Sequence, residues 1–371
     1  MSRNRIRIAA VAGSAVALAA LAAPAAAFKD DLELVSRGSS AVADAHSKMP
    51  SVSRDGTRIA FASNATTLSP EDGPSQDIFV RDLTAGTTTL ISRADGQGGA
   101  AASDYSRNPS ISDSGRYIAF DSPADNLSSQ DDNTYVNVFL RDTQANATTL
   151  ISRASGALGA GADGGSHDPS VSADGRFVAF ESMADNLSID DDDTKKNIYV
   201  RDTLLNTTEL VSRADGLLGA GGDDHSLDAS ISDDGRYVAF WSSADNLSAE
   251  ADTTAGNIYV RDRATHTTHL VSRASGAAGA VADEPSWTPS ISGDGRKVAF
   301  RSAATTLSDH ANGTPQIYVR HLDTHVTFLA SRGQTHQPAD DHTVEPSISG
   351  DGWRVAFSSD AGNLTPDDGP G

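Results

Sequence analysis

One twelve-residue segment returns six times along the chain and leaves few folds open. PSVSRDGTRIAF starts at Pro50, PSISDSGRYIAF at Pro109, PSVSADGRFVAF at Pro169, ASISDDGRYVAF at Ala229, PSISGDGRKVAF at Pro289 and PSISGDGWRVAF at Pro346. The turn glycines Gly56, Gly115, Gly175, Gly235, Gly295 and Gly352 stand 57 to 60 residues apart. A second segment follows each of the first five: IFVRDLTAGTTTLISR, VFLRDTQANATTLISR, IYVRDTLLNTTELVSR, IYVRDRATHTTHLVSR and IYVRHLDTHVTFLASR. A period of this length marks an array in which each unit buries its apolar face against its neighbours.

Each unit parses into four short strands, here read from the third copy. Strand A covers Pro169–Ser172 and Asp174-Gly175 makes a tight turn, since this pair readily takes positive φ. Strand B covers Arg176–Ser182, strand C Asn197–Asp202 and strand D Thr208–Arg213, with a short turn at Asn206-Thr207. Val, Ile, Phe, Tyr and Thr fill these runs, as strands require. Phe177, Val178, Ala179 and Phe180 are apolar on both faces of strand B. A sheet buried on both faces implies blades stacked around an axis. No helical period appears after the N-terminal segment.

Units with this strand order and the PSxSxDGRxVAF signature resemble the β-propeller repeats of the TolB family, over residues 32–371. The resemblance implies an all-β, six-bladed propeller of four-stranded antiparallel blades. It also implies a role in the cell envelope. The N-terminal α/β domain through which TolB meets its partners has no counterpart here, so the resemblance is to the propeller alone. LELVSR (Leu32–Arg37) matches strand D, whereas the last unit supplies strands A and B (Pro346–Ser359). The last blade therefore reads as incomplete at the C-terminus, lacking a strand C. Either the chain is shortened relative to a longer one or its closure is unusual. An open edge of this kind invites strand addition by another chain.

The segment before the repeats reads differently. Arg3, Arg5 and Arg7 precede an apolar stretch from Ile8 to Ala23, and Ala25-Ala26-Ala27 offers small residues for cleavage. Residues 1–27 are expected to be a secretory signal peptide, with one propeller domain over 28–371 and a secreted, periplasmic or envelope location. The apolar run is shorter than a membrane span requires. Among the 371 residues, 29 Lys+Arg stand against 50 Asp+Glu, giving a net charge of −21. So acidic a surface repels phosphate backbones, which argues against nucleic-acid binding. The absence of Cys excludes disulfides, thiolate metal sites and a Cys nucleophile.

Residues shared by every blade are expected to be structural and those that vary to be functional. The Arg-Asp pairs at 81/82, 141/142, 201/202 and 261/262, and the arginines at 93, 153, 213, 273 and 332, fall in the first class. The D–A and B–C loops are long, acidic and on one face, where binding tends to sit. Residues just before strand A lie nearest the axis and vary: His46, Tyr105, Arg107, His167, Asp168, His225, Asp228, Trp287, His342 and Glu345. So does the position after the Ala-Phe of strand B, which is Ala62, Asp121, Glu181, Trp241, Arg301 and Ser358 in turn. Trp241 and Arg301, in adjacent blades, are expected first to pack between blades, with an anchor pair for a ligand as the alternative. His46, His225 and His342 hold equivalent positions, which raises a metal site, although their blades are not adjacent.

The carboxylates Asp190, Asp192 and Asp193 suggest Ca²⁺. As an EF-hand loop starting at Asp190 the segment fails, because Lys195 stands where Gly is required and Arg201 where Glu is required. Solvated acidic loops are the default, so no cofactor is expected, and Ca²⁺ is the cation these loops would take. There is no G-x-S-x-G elbow, H-E-x-x-H or P-loop. The primary expectation is a non-enzymatic scaffold whose acidic long-loop face holds a basic protein or peptide. The alternative is a Ca²⁺-dependent hydrolase, lactonase or lyase acting on a sugar or small ester at the channel.

Overall fold

A computed structural model describes residues 6–10, 34–38, 42–71, 73, 75–131, 135–191, 195–249, 256–333 and 335–365. Every regular element among them is a strand, and none of the described helices is long and apolar enough to cross a membrane, there being no helix at all. The strands form six sheets in chain order. Blade 1 comprises Ser47–Val52, Arg58–Ser63, Asp77–Asp82 and Thr87–Leu90 as strands A to D. Blade 2 comprises Arg107–Ile111, Tyr117–Ser122, Asn137–Asp142 and Ala147–Leu150. Blade 3 comprises Ser166–Val171, Phe177–Ser182, Asn197–Asp202 and Thr207–Leu210. Blade 4 comprises Ser226–Ile231, Tyr237–Ser242, Asn257–Asp262 and Thr267–Leu270. Blade 5 comprises Ser286–Ile291, Lys297–Ser302, Gln316–His321 and Val326–Leu329. The sixth sheet holds Thr343–Ile348 and Arg354–Ser359, flanked by the N-terminal strand Ile6–Ala10. All pairs are antiparallel meanders, and the chain is an all-β propeller.

Strand D is shorter than the sequence suggests. It ends at Leu210 because the Val211 N–H turns back to the Ile198 carbonyl (2.8 Å), and the Arg213 N–H then closes a tight turn on the Val211 carbonyl (2.8 Å). Strand A starts earlier than expected, at Ser166, because it runs through a bulge between His167 and Ser170. The bulge recurs in all six blades. At each one a non-glycine residue takes left-handed backbone: Met49, Asn108, Asp168, Asp228, Thr288 and Glu345, with φ between 49° and 56°.

The signature residues serve the seams between blades. Strand A is the end strand of each meander, so the amides on its free edge need partners from elsewhere. The Ser after the bulge supplies them. Ser51 Oγ accepts the Ile111 N–H (3.1 Å), Ser110 that of Val171 (3.0 Å), Ser170 that of Ile231 (3.2 Å), Ser230 that of Ile291 (3.1 Å) and Ser290 that of Ile348 (3.1 Å). The A–B turns are linked in the opposite donor sense, each blade donating to the next. Arg54 N–H donates to Asp113 O, Asp113 to Ala173, Ala173 to Asp233, Asp233 to Gly293 and Gly293 to Gly350, at 2.9–3.2 Å. The Arg54 guanidinium also pairs with the Asp113 and Asp233 carboxylates, tying blade 1 to blades 2 and 4 at this end of the axis.

The repeated charges are structural. Arg141 donates to the carbonyls of Ala94 (3.0 Å) and Gly96 (3.1 Å) in the preceding blade, and Arg201, Arg261 and Arg320 repeat the contact at Ala154, Ala214 and Ala274 (each 2.9 Å). Asp142, Asp202 and Asp262 pair with Arg116, Arg176 and Arg236 at 2.6–2.7 Å. Arg116 holds the Asp142 carboxyl down at about 2. Inside each complete blade an aromatic of strand B stacks on one of strand C, as Phe180 does on Tyr199 with centroids 5.8 Å apart. Both are fully buried. Burying a side chain of that size stabilises by roughly 1.5–3 kcal/mol.

Candidate channel-mouth site

The bulge places the residues that vary between blades where strands A of successive blades meet. Their neighbours are the strand-B residues that follow the Ala-Phe pair, because strand A starts beside the end of strand B. Thus His167 is the register partner of Glu181, Leu227 of Trp241 and Trp287 of Arg301. These positions lie toward the long D–A and B–C loops, at the opposite ends of strands A and B from the turns that Arg54 ties together.

Blades 2 to 4 build a connected polar cluster there. Arg107 Nε donates to Asp121 (2.9 Å), and an Arg107 Nη lies 3.2 Å from His167 Nδ1. Asn108 Nδ2 donates to Asp121 (2.9 Å) and also to Asp168 across the seam. The Asp168 N–H returns to the second Asp121 oxygen (3.2 Å). One seam further on, Lys196 Nζ donates to Glu181 (2.7 Å), whose other oxygen accepts the Asp228 N–H at 3.4 Å. The Lys196 N–H donates to His225 Nδ1 (3.0 Å). Asp121 and Glu181 are buried, and Asp168 and Asp228 are half-buried.

The electrostatics follow from this burial. Four carboxyls face two nearby cations, Arg107 and Lys196. Burial raises Asp121 to about 6 despite the opposing Arg107 charge. Burial likewise raises Asp168, Glu181 and Asp228; the Lys196 hydrogen bond opposes the rise at Glu181, and the Asp168 charge adds to it at Asp228. His167 is pushed down to about 4, first by burial and then by Lys196 and Arg107. At neutral pH the cluster therefore holds excess negative charge with a neutral imidazole beside it.

Blades 4 and 5 continue the ring with a different surface. The Arg301 guanidinium lies over the Trp287 ring at 5.0 Å, so its aromatic partner is Trp287 on its own blade and not Trp241. Trp241 leans over Gly256, where an added Cβ would come within 2.3 Å of the indole nitrogen. Lys196 holds the place of Gly256 one blade earlier, so the strand-B residue and the residue before strand C vary as a pair. Among the described residues, the buried Trp241 Nε1, Thr288 Oγ1 and Arg301 Nε in this sector have no hydrogen-bond partner.

The remaining expected residues do not join the cluster directly. Tyr105 supports it from outside, with the Arg107 guanidinium 5.3 Å from its ring centre. His46, His342 and Glu345 are exposed, and His342 lies 4.0 Å from Asp341. His46, His225 and His342 are not gathered, and no group of three or more His, Asp or Glu among the described residues is arranged to hold a metal ion. Asp190 is engaged by Arg213 (2.8 Å), while Asp192 and Asp193 lie outside the described residues. Asp121, Glu181, Asn108 and Lys196 are the members of the site that the candidate set lacks. Blade-to-blade variation singles out the first two, but nothing in the sequence shows that Lys196 meets Glu181. A cleft of about 670 Å³ between blades 4 and 5 lies apart from this site and is lined largely by recurring residues such as Arg273 and Arg320.

No family model matches the sequence, and no curated protein does. Solved structures that match it include TolB proteins over most of the chain. A putative TolB from Agrobacterium tumefaciens is 15% identical with a TM-score of 0.48, covering 85% of this chain and 90% of that one. TolB from Acinetobacter baumannii is 15% identical with a TM-score of 0.44, covering 86% of this chain. This chain spans 56% of that protein's length. An oligogalacturonate lyase in complex with manganese is 10% identical with a TM-score of 0.38, covering 86% and 89%.

Proposed function

We propose that this propeller is a non-enzymatic binding scaffold of the bacterial-type cell envelope or exterior, and that its channel mouth receives a basic segment of a protein or peptide. The observation that carries this reading is the cluster of Asp121, Asp168, Glu181 and Asp228, which outnumbers the two cations beside it. A lysine or arginine side chain entering there would gain charge-assisted hydrogen bonds in a partly desolvated place. The acidic loops around the mouth, with the chain's net charge of −21, would steer a basic partner inward. The exported location rests on the Arg3–Ala27 pattern.

The test is titration of the full chain with an arginine-rich and a glutamate-rich peptide of equal length. Preference for the basic peptide, weakening steeply with added salt, is expected. The double variant Asp168→Asn, Asp228→Asn should lose about tenfold or more in affinity, the scale of losing one charge-assisted contact. Equal binding of both peptides, or an unchanged affinity in the double variant, would refute the site.

A further inference from the structure

The first half of each D–A loop leaves its own blade and folds against the next one. In the loop after blade 2, the Arg153 carbonyl accepts the Thr208 hydroxyl (2.5 Å) and Ser155 Oγ accepts the Thr208 N–H (2.9 Å). The Gly156 N–H of the same loop then donates to the Asn206 carbonyl (2.7 Å). The loop after blade 3 repeats this on blade 4. The Asp215 carboxylate accepts the Thr268 N–H (2.6 Å), and the Gly216 N–H donates to the His266 carbonyl (2.7 Å). The Ala214 N–H closes the hairpin on the Ala220 carbonyl (2.9 Å) before the chain returns. The tip of each loop therefore stands beside the C–D turn of the next blade. That is the outer rim at the end of the ring opposite the channel mouth.

This rim changes character at blades 3 and 4. On blade 3 the tip carries Leu158 and the C–D turn Leu204 and Leu205, and the tip on blade 4 carries Leu217 and Leu218. The same places hold Gln97-Gly98 and Gln144-Ala145 on blade 2, and Ala277-Ala278 and Asp323-Thr324 on blade 5. The five leucines are 64–93% exposed. The seam between their two groups is filled. Arg263 spans it to Glu209 (2.9 Å) and lies 4.8 Å from the centre of the Phe177 ring, with its own side chain only 14% exposed. One seam further on, Leu322 and His269 replace that Arg and Glu, and the surface opens into the cleft of about 670 Å³. The leucines thus border a closed surface. The charges flanking it are paired within the chain: Arg176 with Asp202 (2.7 Å), Arg236 with Asp262 (2.6 Å) and Arg263 with Glu209.

We infer that this leucine rim is a self-association surface, on which a second copy of the chain docks about a two-fold axis. The area fits that occupant. Taking about 30 Å² for each side-chain carbon, the leucines expose on the order of 500 Å². A standard interface buries about 800 Å² on each partner, about 65% of it apolar in homodimers. The leucines alone supply nearly all of that apolar share. The charge fits as well. Two chains of net charge −21 repel one another, so they can meet only where the local charges are already cancelled. A foreign partner chosen by complementary charge finds none to complement here. An apolar patch is its own complement, as a two-fold interface requires. The rim lies away from the channel mouth, so the dimer leaves both mouths open.

The test is sedimentation velocity of the full chain across a wide concentration range. A reversible monomer–dimer equilibrium is expected, strengthened rather than weakened by added salt, since salt screens the repulsion between the copies. Leu205→Glu and Leu218→Glu each place a charge on an exposed rim position, where the fold does not depend on the side chain. Each should weaken dimerisation by about tenfold or more, with an unchanged circular-dichroism spectrum. Ile189→Glu, an equally exposed apolar residue in a B–C loop at the other end of the ring, should leave the dimer constant unchanged. A chain that stays monomeric at every concentration would overturn the proposal. So would a dimer that both rim variants leave intact, or one that Ile189→Glu dissociates as well. A monomer that floats with zwitterionic lipid vesicles, and loses them in Leu218→Glu, would give the rim to a lipid surface and overturn the second copy.

Discussion

At the scale of single residues, the account turns on carboxyls held where water does not reach them well. Asp121 is fully buried and titrates near 6 rather than 3.8, so the folded chain binds its proton more tightly than the unfolded chain. On its own this raises stability as pH falls from about 6 to about 4, by up to about 3 kcal/mol. His167 acts in the opposite sense. Its folded value is about 4 against 6.5, so the unfolded chain takes up the proton first and stability is lost as pH falls from 6.5 to 4. The two effects oppose one another in the wild type. Asp121→Asn removes the first and leaves the second. Its denaturation midpoint is therefore expected to fall more steeply than that of the wild type between pH 6.5 and 4. Parallel profiles would show that the two groups do not titrate as placed. Gly256 makes a second case, since a Cβ there would collide with Trp241. Gly256→Val should displace the indole, blue- or red-shift its emission and destabilise by about 1–3 kcal/mol, as overpacking does. An unaltered spectrum would mean that Trp241 does not lean on that backbone.

At the scale of elements, the bulged strand A joins fold and site. The same kink brings a serine to the next blade's amide and turns the residue two places before it into left-handed backbone. Thr288 shows how firmly this is imposed, because a β-branched residue rarely adopts such a φ. Ser170→Ala would leave the Ile231 amide without its acceptor at the seam between blades 3 and 4. It is expected to cost about 1–3 kcal/mol and to speed hydrogen exchange at Ile231. No change in exchange there would remove the serine from the seam. The strands, the Asp-Gly turns and their order were legible from the repeat alone. The bulge was not, because PS and AS read as ordinary strand and no glycine marks the positive φ. Arg301 illustrates a related limit. Its register partner Trp287 is fixed by the bulge, so a sequence without the bulge in view pairs it with the wrong tryptophan, Trp241.

At the scale of the whole molecule, the ring has two unlike ends. Six turn tips are hydrogen-bonded in series at one end, and Arg54 ties three of their blades together. The long loops surround the other end, where identity changes from blade to blade. Repetition made this polarity readable: what recurs holds seams together, and what varies sits at the mouth. The composition of the mouth was partly readable, since Arg107, His167, Asp168 and Asp228 were marked by their variation. Asp121 and Glu181 were marked the same way, but their partners Asn108 and Lys196 required the three-dimensional ring, because contacts such as Asn108 to Asp168 join residues sixty positions apart. The Asp121 carboxyl is the most direct reporter of the central claim. A carboxyl-carbon NMR titration of the full chain, free and with an arginine-rich peptide, would follow it. The account predicts a midpoint near 6 in the free protein, moving clearly downward when a guanidinium enters the mouth. A midpoint unmoved by saturating peptide would contradict a basic ligand at this site.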